Sequence, residues 1–170
     1  SPYTVHRIDK ETTGILIVAK NRKYAQLFTS LFRIRKIHKT YLGIVVGKLN
    51  ESKGSFIDYL FYNEGAKKIK VKAITNFQVV DSNNNYSLLR LDPVTGRKHQ
   101  LRKQLSLVGH SIYGDDKYTF EKNFKTKNKK LMLHSYKIKF IINNKKYTYK
   151  ALLPKYFKKI LETKRLKFLN

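Results

Sequence analysis

The chain has 170 residues, of which 41% are apolar and 13% aromatic, so it can bury the core of one domain and is not a disordered polypeptide. It carries 37 Lys and Arg against 11 Asp and Glu, a net charge of +26, and we expect a polyanionic partner, nucleic acid before a membrane surface. No apolar run is long enough to span a membrane. The absence of Cys excludes disulfides and thiolate metal ligands.

The first half of the chain alternates predicted strands with a single predicted helix. Residues 14–20, GILIVAK, form a continuous apolar run that predicts a buried strand. Asn21 is a predicted N-cap for a helix over 22–34 with one apolar face. Strands are then predicted over 39–47, 69–80 and 86–93, with a turn at 81–85 and a short strand or connection over 54–62.

The second half begins with a predicted helix over 97–109, whose apolar stripe is formed by Leu101, Leu105 and Val108. The charged run 121–130 predicts a solvated loop. Residues 131–142 and 147–153 predict two strands around a turn, and Pro154 begins a basic C-terminal helix. Because strands outnumber helices and hairpins dominate, the sequence predicts an α+β fold: a mixed, mostly antiparallel sheet flanked by a few helices.

Two charged residues indicate a possible site. Asp9 lies between Arg7 and Lys10 in a chain with few acids, immediately before an apolar segment. By itself, an Asp in this position is more often a turn or cap residue than a catalyst. Arg102 directly follows the core residue Leu101, so its guanidinium should be partly desolvated and should need a carboxylate. We predict that Asp9 is this partner, with Arg97 as the next candidate arginine.

Four segments, taken together and in order, resemble the RluA family of pseudouridine synthases. They are HRIDKETTGILIVAK (6–20), KTYLGIVVG (39–47), TGRKHQLR with GHSIYGDDKY (95–118), and LMLHSYKIKF (131–140). The resemblance covers most of the chain, and the GDDKY ending is most similar to members that act on large-subunit ribosomal RNA. Ser111 stands where the family usually has Pro, and Lys98 where it usually has Thr.

The resemblance implies an enzyme that isomerises uridine in RNA to pseudouridine without a cofactor or a metal. Asp9 would be the carboxylate that attacks C1′ or removes a proton from the sugar, with Arg102 as its ion-pair partner. Tyr41 would pack on the target base and help to remove the C5 proton. The target uridine would have to be flipped out of folded RNA. The residues expected to contact RNA are Arg7, Arg97, Lys98, His99 and Gln100.

The same resemblance sets expectations for the domain organisation and the surroundings. Residues 1–170 would form one catalytic domain that is incomplete at its N-terminus, without the strands and the small RNA-binding domain that many relatives carry upstream. Sheet edges would then be exposed. We expect a monomer in the cytoplasm of a bacterium, with an organelle as the second choice.

The alternative is a non-catalytic basic RNA-binding module, such as a degenerate synthase or a ribosome-associated protein. Net charge is compatible with both readings, but a binding module does not require the trio of Asp9, Tyr41 and Arg102, so we favour the enzyme. The spacing of the histidines matches no metal-ligand motif. For Asp115 and Asp116, a Gly-Asp-Asp turn is a simpler role than a magnesium site.

Overall fold

The computed structural model describes residues 2–119 and 129–169, in which nine strands and three helices are found. The predicted loop at 121–130 lies almost wholly outside these residues. The elements are β1 (Tyr3–Thr4), β2 (Thr13–Gly14), β3 (Val18–Ala19), α1 (Arg22–Arg33), β4 (His38–Val46), β5 (Lys53–Glu64), β6 (Lys67–Ser82), β7 (Tyr86–Pro93), α2 (Gln100–Leu107), β8 (Leu133–Ile142), β9 (Lys145–Lys150) and α3 (Lys155–Thr163).

Seven of the strands form one sheet in the order β2-β8-β4-β7-β6-β5, with β9 paired to the second half of β8. All neighbours in this sheet are antiparallel except β2 and β8, which are parallel. The short strands β1 and β3 pair with each other apart from it. The predicted α+β class with a mostly antiparallel sheet is therefore confirmed.

The main core is built by the central strands together with α2 and α3. Leu101 and Leu105 of α2 are buried in it, as are Phe157 and Leu161 of α3. The predicted stripe on α2 is wrong at its end, because the helix stops at Leu107 and Val108 is exposed to solvent. A smaller cluster beneath α1 is centred on Ile37, Ile138 and Phe140.

The predicted buried strand over 14–20 is the largest error in the secondary structure. Only Thr13–Gly14 and Val18–Ala19 are strand, and Leu16 and Val18 are exposed. The Ile15 N–H still reaches the Ser135 carbonyl, but from Lys137 onward this edge of β8 is occupied by β9. The segment therefore leaves the sheet, since no backbone partner is available there.

Local signals in the sequence fix several element ends. Asn21 caps α1 as predicted: its side-chain oxygen accepts the Tyr24 N–H at 3.1 Å. Asn143 and Asn144 both have positive φ, 49° and 59°, so β8 and β9 are joined by a two-residue turn of the type that favours Asn and Gly. No helix in the described part of the chain is long and apolar enough to cross a membrane.

The stretch predicted as a short strand or connection over 54–62 is a long strand. It pairs with β6 along its whole length, from Lys53 with Gln78 to Glu64 with Lys67. On its other side β6 pairs with β7 only from Thr75 onward. Residues 57–64 and 67–74 therefore extend past the end of β7 as a two-stranded ribbon, and this name is used for them below.

Candidate active site

The predicted site residues converge on one cleft of about 550 Å³, a volume typical of small-molecule sites. Asp9 enters it from the loop before β2, where its carbonyl accepts the Thr12 N–H in a turn at 2.9 Å. Tyr41 enters from β4, and the loop before α2 closes the opposite side. The predicted residues that line the cleft are Arg7, Asp9, Tyr41, Arg97, Lys98, His99 and Gln100.

Arg102 lies behind the cleft with only 4% of its side chain exposed. Its Nη1 is 3.8 Å from the Asp9 Oδ2, so the two charges are adjacent although 93 positions separate them in the sequence. Its hydrogen bonds, however, go to Asp115: Nε and Nη2 each donate to one carboxylate oxygen at 2.8 Å. The bidentate partner of Arg102 is thus a residue that sequence reasoning assigned only to a turn.

Asp115 keeps its charge because its hydrogen bonds outweigh its burial. Burial raises the pKa of this carboxyl, whereas hydrogen bonds from Arg102 and from the backbone N–H groups of Tyr118 and Lys117 lower it. The hydrogen bonds together have the larger effect, so the net shift of the pKa is downward. The same hydrogen bonds with Asp115 raise the pKa of Arg102. Four acids of the described residues come within 4 Å of this guanidinium: Asp9, Glu11, Asp115 and Asp116.

His99 bridges this cluster to the cleft. It precedes α2 in the left-handed region, with φ 53° and ψ 27°, a conformation that costs a non-glycine residue free energy. Its Nδ1 lies 2.8 Å from the Tyr118 hydroxyl and its Nε2 lies 3.7 Å from the Asp9 Oδ1. Burial lowers the pKa of His99 more than the nearby Asp9 raises it, so the ring is neutral at neutral pH.

Tyr41 presents a buried phenol beside Asp9. Burial raises the pKa of Tyr41 to about 12, although a hydrogen bond with the Ser135 side chain acts in the opposite direction. The phenol therefore stays protonated at neutral pH, which suits packing against a ring better than accepting a proton in the resting cleft.

Gln100 is used inside the protein. Its amide oxygen accepts from the Thr95 hydroxyl at 2.6 Å and the Arg97 N–H at 3.0 Å, and its amide nitrogen donates to the Ile74 carbonyl and the Thr75 hydroxyl oxygen. These bonds hold the loop 95–97 against β6. The arrangement argues against the predicted RNA contact by this side chain and gives it a positioning role.

The other predicted RNA-contacting residues, Arg7, Arg97 and Lys98, are exposed at the rim of the cleft. The Arg97 Nε donates to the Lys72 carbonyl at 3.2 Å, and the Lys98 carbonyl accepts from the Tyr62 hydroxyl at 2.7 Å. The rim is therefore tied to the ribbon by its backbone and by one guanidinium nitrogen. The remaining donors of Arg97 and the ammonium of Lys98 extend the positive charge around the mouth.

Lys39 is a cleft residue that the sequence analysis did not single out. It stands two positions before Tyr41 on β4, hence on the same face of the strand. Burial lowers the pKa of Lys39, and its charge helps to lower that of His6. No acid of the described chain lies within ion-pair distance of its ammonium group. The KTY motif and strand alternation could have identified it.

A second cleft of about 810 Å³ adjoins the first and shares Lys39 with it. Its walls carry one acid, Asp92, which pairs with Arg90 at 3.2 Å. The pKa of Lys137 is lowered mainly by burial and additionally by the neighbouring cations. The cationic residues of this cleft are Arg35, Lys36, Lys39, Arg90, Lys137, Lys139 and Lys146.

Metal binding finds no support in the side-chain clusters. Across residues 2–119 and 129–169, no group of three or more His, Cys, Asp or Glu side chains is arranged to hold an ion. Asp115 and Asp116, the pair considered for magnesium, instead face Arg102.

The structure thus combines an α+β sheet, a carboxylate beside a buried arginine and a strongly cationic rim. The family model for RNA pseudouridylate synthase matches residues 1–107. The chain belongs to this family, which confirms the resemblance noted in the motifs.

Individual relatives agree with this assignment. The chain is 37% identical over 155 residues to the ribosomal large subunit pseudouridine synthase D of Borreliella burgdorferi, covering 86% of the chain and 47% of the relative. It is 34% identical over 170 residues to the synthase C of Rickettsia bellii, covering 92% and 55%. The chain thus spans about half the length of these relatives.

A solved human structure, RNA Pseudouridylate Synthase Domain Containing 4, superimposes with a TM-score of 0.87 at 27% identity. It covers 99% of this chain, and this chain covers 78% of it. The second human structure, RNA Pseudouridylate Synthase Domain Containing 1, has a TM-score of 0.76 at 21% identity and supports the fold alone.

Proposed function

We propose that this chain carries the catalytic site of an RNA pseudouridine synthase that uses Asp9 as its reactive carboxylate. The observation that carries the proposal is the position of Asp9: it lines a cleft of nucleoside size with the buried Arg102 at 3.8 Å. A carboxylate that lies beside a guanidinium and faces a cavity is placed for nucleophilic or base chemistry.

The reaction is an isomerisation, so it needs no co-reactant. The bond from N1 to C1′ breaks, the uracil turns, and a bond from C5 to C1′ forms. The proton lost from C5 is balanced by the proton gained at N1. Asp9 acts at the sugar, by attack on C1′ or by removal of a sugar proton, and Arg102 stabilises its negative charge between steps.

The remaining cleft residues position the substrate. Tyr41, a neutral phenol, packs against the flipped uracil. Arg7, Arg97 and Lys98 neutralise phosphates at the rim, and Lys39 supplies a further positive charge inside the cleft. His99, held by Tyr118, keeps the α2 side of the cleft in place.

The substrate we propose is large-subunit ribosomal RNA, in line with the names of the bacterial relatives. We further propose that residues 1–170 form one domain, that the protein acts as a monomer in the bacterial cytoplasm, and that the reaction uses no cofactor or metal. The competing reading, a binding module without catalysis, gives no reason for a carboxylate in a cleft that otherwise attracts phosphates.

Tritium release from C5-labelled uridine in ribosomal RNA tests the proposal directly. We expect release with the wild-type protein and none with Asp9→Asn, which is nearly isosteric but cannot attack C1′ or accept a proton. RNA affinity should persist in Asp9→Asn, because removing a negative charge does not weaken phosphate binding. Substantial turnover by the variant would exclude this mechanism.

A further inference from the structure

The ribbon has two faces of different character. Strand alternation places Asp58, Leu60 and Tyr62 on one face. This face packs on Gln104 and Lys103 of α2 and on Lys98 of the loop before it. The other face carries Ile57, Tyr59 and Phe61, which are 60%, 55% and 51% exposed. More than half of each of these three side chains is therefore exposed to solvent.

Positive charge is concentrated on this outer face. The cross-strand partner of Tyr59 is Lys72, that of Phe61 is Lys70, and that of Asn63 is Lys68. The Lys70 Nζ lies 4.9 Å from the centroid of the Tyr59 ring, and the Lys68 Nζ lies 4.8 Å from that of Phe61. The acids of the ribbon, Asp58 and Glu64, are on the opposite face by register.

We propose that the outer face of the ribbon binds single-stranded RNA next to the target uridine, with bases stacked on Tyr59 and Phe61. The proposal rests on the function proposed above for its substrate class. Rings two positions apart on a strand are separated by about 7 Å, a spacing that an extended single strand can follow base by base. Aromatic rings beside lysines are the usual composition of sequence-tolerant single-strand sites.

The path from the active site supports this occupant. The catalytic cleft adjoins the second cleft, which is lined by Asn76 of β6. Asn76 stands on the same face of β6 as Ile74, Lys72 and Lys70, because it is two, four and six positions from them along the strand. A strand leaving the active site through the cationic second cleft therefore reaches the ribbon past a single acid, Asp92, which is paired with Arg90.

The test compares RNA affinity in four proteins, all carrying Asp9→Asn so that binding is measured without turnover. They are the parent, Tyr59→Ser with Phe61→Ser, the ring-retaining swap Tyr59→Phe with Phe61→Tyr, and the control Tyr149→Ser, which removes a ring that is 53% exposed on β9. The probes are a fluorescein-labelled oligouridylate and an RNA duplex of the same length, followed by anisotropy at fixed salt.

We expect the double serine variant to lose about 30-fold in affinity for oligouridylate and little for the duplex, whose bases are not free to stack. The ring-retaining swap and Tyr149→Ser should bind as the parent does. Unchanged oligouridylate affinity in the double serine variant would overturn the proposal. Equal losses for both probes would overturn it too, since a stacking surface discriminates between them.

Other occupants give different results. A dimer that dissociates in the double serine variant would identify a second copy of the chain as the occupant, and loss of polyglutamate binding in parallel with RNA would identify an acidic protein. Either result overturns the RNA proposal. This test and the test of catalysis can fail separately. If the wild-type protein releases tritium but the double serine variant binds RNA normally, only the ribbon proposal is refuted. If the double serine variant loses oligouridylate affinity but the wild-type protein releases no tritium, only the proposed catalysis is refuted.

Discussion

At the level of single residues, the arginine behind the cleft determines how the candidate site is held. Arg102 is buried, and its two short hydrogen bonds go to Asp115, leaving Nη1 directed toward Asp9 at 3.8 Å. A bidentate pair fixes a planar guanidinium in one orientation. Asp115 therefore positions the charge. Asp9 faces the cleft, and its carboxylate has no short hydrogen bond to another side chain of residues 2–119 and 129–169.

This division of roles predicts different effects for two adjacent aspartates. Asp115→Asn should destabilise the fold by about 3 to 5 kcal/mol and reduce activity, because it leaves a buried guanidinium without its main partner. Asp116→Asn, at 3.9 Å and 81% exposed, should change stability by about 1 kcal/mol or less. Urea unfolding with tritium release measures both. Similar losses in the two variants would refute the positioning role of Asp115.

A second residue-scale prediction concerns His6, whose Nε2 accepts the Ile17 N–H at 2.8 Å. Burial, followed by the charge of Lys39, lowers the pKa of His6 from 6.5 to about 4. Between these pH values the unfolded chain binds a proton that the folded protein does not, so the free energy of unfolding should decrease as pH falls from about 6.5 to about 4. The contribution of this one residue is at most about 3 kcal/mol.

His6→Gln retains a hydrogen-bond acceptor but cannot titrate, so its unfolding free energy should fall less over the same pH range. The comparison is made by urea unfolding at several pH values. Burial also lowers the pKa values of His99 and His134, but these residues contribute equally to both proteins. Identical pH profiles would show that His6 does not titrate in this way.

The sequence could predict which residues meet at this scale, but not how they share hydrogen bonds. Asp9, Tyr41 and Arg102 were identified from their motifs and lie together. The role of Asp115 was missed because a Gly-Asp-Asp sequence is equally compatible with a solvent-exposed turn. Gln100 was expected to contact RNA because it belongs to the same motif as Arg97, Lys98 and His99, whereas its hydrogen bonds with Thr95 and β6 could not be read from the sequence.

At the level of elements, competition for strand partners explains the main error of the sequence analysis. GILIVAK is apolar enough for a buried strand, but whether a strand forms depends on a free backbone edge, which composition does not encode. Here β9 occupies the edge of β8 that the segment would need. The long pairing of β5 was also missed, because its exposed aromatic residues resemble a loop as much as a strand.

Gly14 is the element-scale position most sensitive to substitution. It has φ +105°, and a Cβ there would lie 2.1 Å from the Ser135 carbonyl oxygen, at the pairing of β2 with β8. Gly65, at the tip of the ribbon, has φ +59° and open space around it. Gly65→Ala should cost about 1 kcal/mol, from the conformation alone. Gly14→Ala should cost more, since the backbone of β8 must also move.

Thermal unfolding of the two alanine variants measures this difference in stability. Tritium release shows whether the substitutions also disturb the candidate active site. Ser135 is hydrogen-bonded to Tyr41, so displacement of β8 at Gly14 should also reduce activity. Gly65→Ala should leave activity unchanged. Equal melting temperatures for the two variants would show that β2 is not held closely against β8.

At the level of the whole molecule, an excess of 26 positive charges has two opposing effects. It attracts polyanions, and it makes the folded chain repel itself. Both effects are screened by salt, but with opposite consequences for binding and for folding.

We therefore expect RNA affinity and stability to respond to salt in opposite directions. Affinity should fall by orders of magnitude between low and moderate KCl if ~6 or more phosphates are neutralised, while the melting temperature of the free protein should rise. Anisotropy titrations and thermal unfolding over the same KCl series measure both. A flat binding profile would mean that the charge is compositional and does not form a phosphate-binding surface.

The contacts around Arg102 form a closed circuit that runs from Asp9 through Arg102, Asp115 and Tyr118 to His99 and back to Asp9. Its five members come from three segments of the chain, and three of them, Arg102, Asp115 and Tyr118, do not line the cleft. In a saturation mutagenesis screen selected on RNA modification, positions 115 and 118 should therefore be as intolerant as the cleft itself. The positions that tolerate no substitution would then include residues of the circuit that do not line the cleft.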